Sequence, residues 1–260
     1  MKNVLAVFRK EMRSYFLSPI AYVVIGIFLF ISGYFFYGLL AQFLEFSFRS
    51  TLQAQYYRTL PPALNVNEYV IRPLFLNLSV IGLFVMPAIT MRLYAEEKKQ
   101  GTIELLMTSP ISVFQTIMGK FLAALALFAI MVAPVLIYCG IIEKYGSPEW
   151  GPIVSGFLGL ILFGASFISL GILLSALTEN QIIAAISTFG LFLILWVIDW
   201  LASYAGGTLN AVLSYLSLTA HFDDFAKGVI DSQHVIFYLS LITFGLYMTY
   251  RAVESMRWRA

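Results

Sequence analysis

One cysteine, two histidines and fourteen acidic residues are all that this 260-residue chain offers to the usual chemistry of sites. The lone Cys139 excludes an intramolecular disulfide. The histidines, His221 and His234, lie outside the long apolar runs and are expected to be solvated. No H-E-x-x-H or G-x-S-x-G pattern occurs, so no catalytic set, cofactor site or metal site is expected, and an intramembrane enzyme is excluded. No phosphate loop occurs either: Gly119-Lys120 follows Phe114 where that motif requires glycine. Charge is scarce, at 12% of residues against roughly one quarter in soluble domains, and the net charge of +2 gives no reason for a nucleic-acid partner. No Gly/Ser-rich or charged linker divides the chain, which reads as a single transmembrane unit over residues 1–260. The basic amino terminus lacks a small-residue cleavage site and is not read as a removable signal.

What fills the space is hydrophobic sequence, 60% of the chain. Crossing a hydrocarbon core takes about 17 to 25 apolar residues in a helix. Six runs qualify: Ile20–Leu40, Pro73–Met91, Phe121–Ile142, Ile153–Leu177, Asn180–Ile198 and Val235–Tyr250, the last lengthening if it starts at Ser232. The expected class is an all-α membrane protein with six transmembrane helices. An even number of spans puts both termini on one side, which collects eleven Lys and Arg residues against five on the other. That bias makes the termini cytoplasmic. Gly156, Gly159, Gly164, Ser166, Ser169 and Gly171 crowd the fourth span and predict close helix packing.

The first 17 residues carry a second kind of pattern. Val4, Leu5, Phe8, Met12, Tyr15 and Phe16 recur at three- and four-residue spacing, with Lys2, Asn3, Arg9, Lys10 and Arg13 largely opposite. This predicts an amphipathic helix lying in the interface, its cations among anionic lipid headgroups. Ser18-Pro19 then caps and opens the first span, and Ser109-Pro110 is expected to do the same before the third.

The densest charge lies in "RLYAEEKKQGTIELLMTSPIS", residues 92–112. Its helix is expected to leave the membrane from Arg92 to Gln100 and break at Gly101. A short cytoplasmic helix follows, capped by Thr102 and running from Ile103 to Thr108. Glu104 falls in its first turn, where the helix dipole favours a carboxylate. Ile103, Leu106 and Met107 share a face that needs a cover. The cover is either the protein's own helices or a soluble partner meeting a polar rim of Glu96, Glu97, Lys98 and Lys99.

On the other side, Ala41–Arg72 reads as a loop with Tyr56, Tyr57, Tyr69, Pro61 and Pro62, long enough to cover a gate or touch an extracytoplasmic accessory protein. Residues 202–233 read as a re-entrant or interfacial helix pair between spans five and six, with Asp223, Asp224 and Asp231 at its solvated end. Asp199 falls beside Trp196 and Trp200 at the outer end of the fifth span.

The amphipathic first helix, the six spans and "EEKKQGTIELLMTSPISVFQTIMGK" resemble the permease subunit of an ABC transporter of the ABC-2, or type V exporter, class. The matching positions are Glu96, Glu97, Gly101, Thr102, Glu104, Ser109, Pro110, Gly119 and Lys120. "YLSLTAHFDDFAKGVIDSQHVIFY", residues 215–238, is similar to the gliding-motility-type permease. The resemblance implies that the 92–112 loop holds a coupling helix docking on a separate ABC ATPase dimer, which would bind ATP and Mg. Glu96, Glu97, Gly101, Thr102, Ile103, Glu104, Leu106, Met107 and Pro110 are then the expected ATPase-binding residues. It also implies a second permease copy or related permease, and a bacterial inner membrane. Two rivals stand beside it, an ion-gradient-driven secondary transporter and a structural membrane protein. The first would place ionisable groups near the midplane, often in repeated halves, and the centres of these spans carry almost none.

Overall fold

The computed structural model describes residues 2–60, 64–104, 110–204 and 206–257, leaving undescribed the side chains of Asp199, Ser203 and Arg257. Every regular element among them is helical. Six helices are long and apolar enough to cross a membrane, so the chain is a multi-pass membrane protein.

The amphipathic start is α1 (Lys2–Leu17), which buries Val7, Glu11 and Tyr15 and leaves Lys2, Arg9, Lys10 and Arg13 exposed. Ser18 ends it and caps α2 (Pro19–Tyr57), its hydroxyl accepting from the Ile20 N–H with Pro19 in the first turn. At 39 residues, α2 is about 58 Å long, nearly twice the hydrocarbon thickness. The expected loop from Ala41 is therefore helix as far as Tyr57. Nothing in that stretch breaks a helix until Arg58 takes the left-handed conformation, at φ 51°. Pro61 and Pro62 lie outside the described residues.

A π-helical turn (Asn67–Ile71) leads into α3 (Arg72–Thr90), and α4 (Arg92–Lys99) follows after an interruption at Met91. Pro87 sits in the last turn of α3, where it withholds an N–H from the helical ladder. The third span is interrupted likewise at Ala133-Pro134, giving α5 (Val113–Val132) and α6 (Val135–Tyr145). The chain continues through α7 (Trp150–Leu177), α8 (Gln181–Tyr204), α9 (Gly207–Leu216), α10 (Leu218–Lys227) and α11 (Ser232–Arg257). The last span thus takes in Ser232 and runs past Tyr250.

α7 is the hub, packed against by α3, α4, α5, α8, α10 and α11. Its small residues make this possible. A Cβ on Gly159 would lie 2.5 Å from Phe225 of α10, and one on Gly171 would lie 2.4 Å from Thr90 of α3. The two ends of α7 carry different attachments: the Ser155 hydroxyl donates to the Phe225 carbonyl of α10 at one end, and the Ser175 hydroxyl accepts from the Tyr94 N–H of α4 at the other.

Candidate functional site

At the Ser175 end of α7, α1, α4 and α5 converge on a buried lysine. Lys120, 1% exposed on α5, reaches Glu11 of α1 at 2.9 Å and Glu97 of α4 at 3.0 Å, and donates to the Leu93 carbonyl at 2.7 Å. Its ammonium also lies 5.0 Å from the centre of the Tyr94 ring. Lys10 closes the group from the solvent side, 2.7 Å from Glu97 and 3.6 Å from Glu11. Two cations face two carboxylates, so the cluster is neutral. A buried charge is tolerable only when so paired. Burial works against the Glu97 charge, but Lys120 and Lys10 outweigh it and hold that carboxyl below its ordinary value. Lys10 is likewise held above its ordinary value, the attraction of Glu97 and Glu11 overcoming desolvation. Both groups stand on α1 and on the charged α4, beyond the apolar part of the second span.

The cluster exists because the helices approach closely. A Cβ on Gly119 would lie 2.6 Å from Val7 Cβ, so glycine lets α1 lie directly on α5. Asn3 adds a hydrogen bond to Gln115 at 3.1 Å. Gln115 in turn forms a capping box with Ser112, the residue that caps α5. The expected Ser109-Pro110 start is corrected accordingly: Ser109 lies outside the described residues, and the helix begins three residues beyond Pro110, where Ser112 and Gln115 satisfy each other's backbone donors. Further along α1, the Tyr15 hydroxyl donates to the Ile89 carbonyl, and the Arg92 guanidinium lies 5.1 Å over the Tyr15 ring.

α4 is fixed to α7 as firmly. The Ser175 hydroxyl accepts from the Tyr94 and Ala95 N–H groups and donates to the Met91 carbonyl, satisfying backbone groups at the α3–α4 interruption. Lys98 donates to the Ala176 carbonyl at the carboxy-terminal end of α7, where a cation meets the negative end of the helix dipole.

Of the predicted docking residues, Glu97 belongs to the ion cluster, and Glu96 accepts from Gln100. Gly101 breaks α4 as expected, at φ +68°. Thr102 is itself helical, and its hydroxyl donates to the Glu97 carbonyl, tying the turn back to α4. Ile103 is half-buried and packs on the protein's own core, while Glu104 and Pro110 are exposed. Leu106 and Met107 lie outside the described residues. A polar cavity of about 490 Å³, lined in part by Ser14, Arg92, Glu96, Gln100 and Thr102, opens between α1 and α4. Sequence reasoning missed Glu11 altogether and took Lys120 as a cytoplasmic cation and a position matching the family's loop, not as a buried ion-pair partner. The available signal was an acid on the buried stripe Val7, Glu11, Tyr15 of an otherwise basic helix.

No group of three or more His, Cys, Asp or Glu suited to a metal occurs among the described residues. The cluster joins α1, α4 and α5 through one set of ion pairs. Comparison with known proteins identifies the family. A family model described as "ABC-2 family transporter protein" matches residues 55–225. Two relatives, from Escherichia coli (strain K12) and Escherichia coli O157:H7, are each described as "Probable multidrug ABC transporter permease YbhR". Each is 26% identical over 173 residues, covering 65% of this chain and 45% of the relative. The match thus spans less than half the length of those relatives.

Proposed function

Because the chain belongs to the ABC-2 transporter family, we propose that it is the membrane-spanning permease subunit of an ATP-driven exporter in a bacterial inner membrane. In this reading α1 and α4 face the cytoplasm, and a separate ABC ATPase dimer binding ATP and Mg docks on Glu96, Glu97, Gly101, Thr102, Ile103, Glu104, Leu106, Met107 and Pro110. A second permease copy completes the transport path. The nearly uncharged spans suit an amphiphilic substrate, as does the multidrug description of the relatives.

The observation that carries the proposal is the ion cluster, in which Glu97 of the docking region holds Lys10 of α1 and Lys120 of the third span at once. A force applied to α4 by a closing ATPase would pass through this clamp to the interfacial helix and the span without being lost in loop flexibility. The test is purification of the tagged chain from its native membrane in mild detergent. A subunit with a phosphate loop should come with it, and the complex should hydrolyse ATP. Glu104→Arg, or deletion of residues 103–107, should abolish partner-stimulated hydrolysis while membrane insertion persists. Full activity in both variants would remove this loop from the docking surface.

A further inference from the structure

At the opposite end of α7 the two histidines, expected to be solvated, are joined. His221 of α10 is 3% exposed, and its Nδ1 lies 2.6 Å from Nδ1 of His234 on α11. His221 Nε2 lies 2.9 Å from the Tyr215 carbonyl at the end of α9, and His234 Nε2 lies 2.9 Å from Asp224 Oδ2. Phe237 stacks on His221 with ring centres 3.9 Å apart. We propose that His221 and His234 form a latch that closes only when the pair holds three ring protons on its four nitrogens, so that the hydrogen bond tying α10 to the last span at this point is lost when pH moves far in either direction.

The proton count follows from the partners. A carbonyl only accepts, so His221 Nε2 carries a proton. Asp224 is an anion: burial opposes its charge, but hydrogen bonds from Lys227 and His234 prevail and hold the carboxyl below its ordinary value. His234 Nε2 therefore carries a proton as well. One proton must then lie between the two Nδ1 atoms, because two bare nitrogens or two N–H groups at 2.6 Å repel. Burial first, and then the neighbouring His234, lower the His221 pKa against the raising effects of the Tyr215 carbonyl and Asp224, which favours His234 as the carrier. The fully closed state thus has a neutral His221 and an imidazolium at His234, joined by the one proton between their Nδ1 atoms.

The surrounding charges fit this assignment. From α3, Arg72 binds Asp223 through both arms, at 2.9 to 3.1 Å. On α10 itself, Lys227 bridges Asp223 and Asp224 at 2.6 and 3.0 Å. From α9 comes Tyr215 and from α11 Tyr238, whose hydroxyl donates to the Leu218 carbonyl. Asp231, just before α11, accepts from Gln233. α7 meets α10 through uncharged groups such as Ser155, and the described side chains of α8 carry no charge. Asp224 is thus the one described carboxylate bonded to the histidine pair.

The chain has only two histidines, so ring-nitrogen NMR can read the latch directly. The full chain, carrying a histidine-free tag and labelled with ¹⁵N-histidine, would be placed in lipid nanodiscs and titrated. Near neutral pH three protonated nitrogens and one bare nitrogen are expected, with scalar coupling across the N–H···N bond. The coupling should vanish on acidification as the fourth proton binds, and on alkalinisation as the third leaves. In Asp224→Asn the third proton should leave about one to two pH units earlier, the worth of a charge-assisted hydrogen bond. Two independent single-step titrations without coupling would overturn the proposal. Should Asp224→Asn fail to fold, the wild-type spectrum alone decides.

Discussion

Replacing Lys120 with methionine keeps the length and apolar stem of the side chain and removes one charge from the buried cluster. Glu11 and Glu97 then face each other with only the half-exposed Lys10 to balance them, and the group changes from neutral to a net charge of −1. At an effective dielectric of about 20, each contact near 3 Å is worth about 5 kcal/mol of Coulomb attraction, most of it offset by desolvation. Loss of one partner leaves that desolvation uncompensated, so Lys120→Met should cost about 3 to 5 kcal/mol. Adding Glu11→Gln restores neutrality, since Lys10 and Glu97 remain paired at 2.7 Å. The double variant should regain about 1 to 3 kcal/mol, a coupling typical of residues in one network. Reversible unfolding in mixed micelles would measure all three proteins. A Lys120→Met variant within about 1 kcal/mol of wild type, with a double variant no better than the single, would refute the claim that this cluster holds α1 to the bundle.

Three further outcomes follow from the same junction. The α1–α4 clamp should hold between the ordinary values of about 4.5 for glutamate and 10.5 for lysine. Glu97 is depressed, so its contribution is lost as pH falls through its lowered value; Lys10 is raised, so its contribution is lost as pH rises through its own. Hydrogen exchange of the α1 amides, corrected for intrinsic rate, should be slowest inside that window and accelerate on both sides. Gly119→Val should cost about 1 to 3 kcal/mol by overpacking against Val7, and Val7→Ala should recover part of it in a thermal-shift series. Ser112→Ala removes the capping box of α5 and should cost about 1 kcal/mol by the same assay.

The spans were legible because a helix in hydrocarbon must be apolar for about twenty residues, a rule that leaves its mark locally. The Ser18-Pro19 cap, the Gly101 break and the small-residue face of α7 were legible for the same reason: each is a property of a few adjacent residues. The ion cluster was not, since Glu11, Glu97 and Lys120 come from three separate segments and meet only after α1 folds back onto α5. The joined histidines were hidden similarly, because nothing in the twelve intervening residues announces that α10 turns back along α11. The length of α2 was misread for another reason. Its polar residues past Leu40 suggested a loop, yet polarity ends a span without ending a helix.

The extent of α2 has a kinematic consequence. A continuous helix of about 58 Å that pivots at its Ser18 end by ten degrees carries its far tip through about 10 Å. Small angular adjustments near α1 therefore become displacements of Tyr56 and Tyr57 as wide as a helix diameter. A rigid helix of this length is a lever, whose far end at Tyr56 and Tyr57 would move most for any tilt at its start.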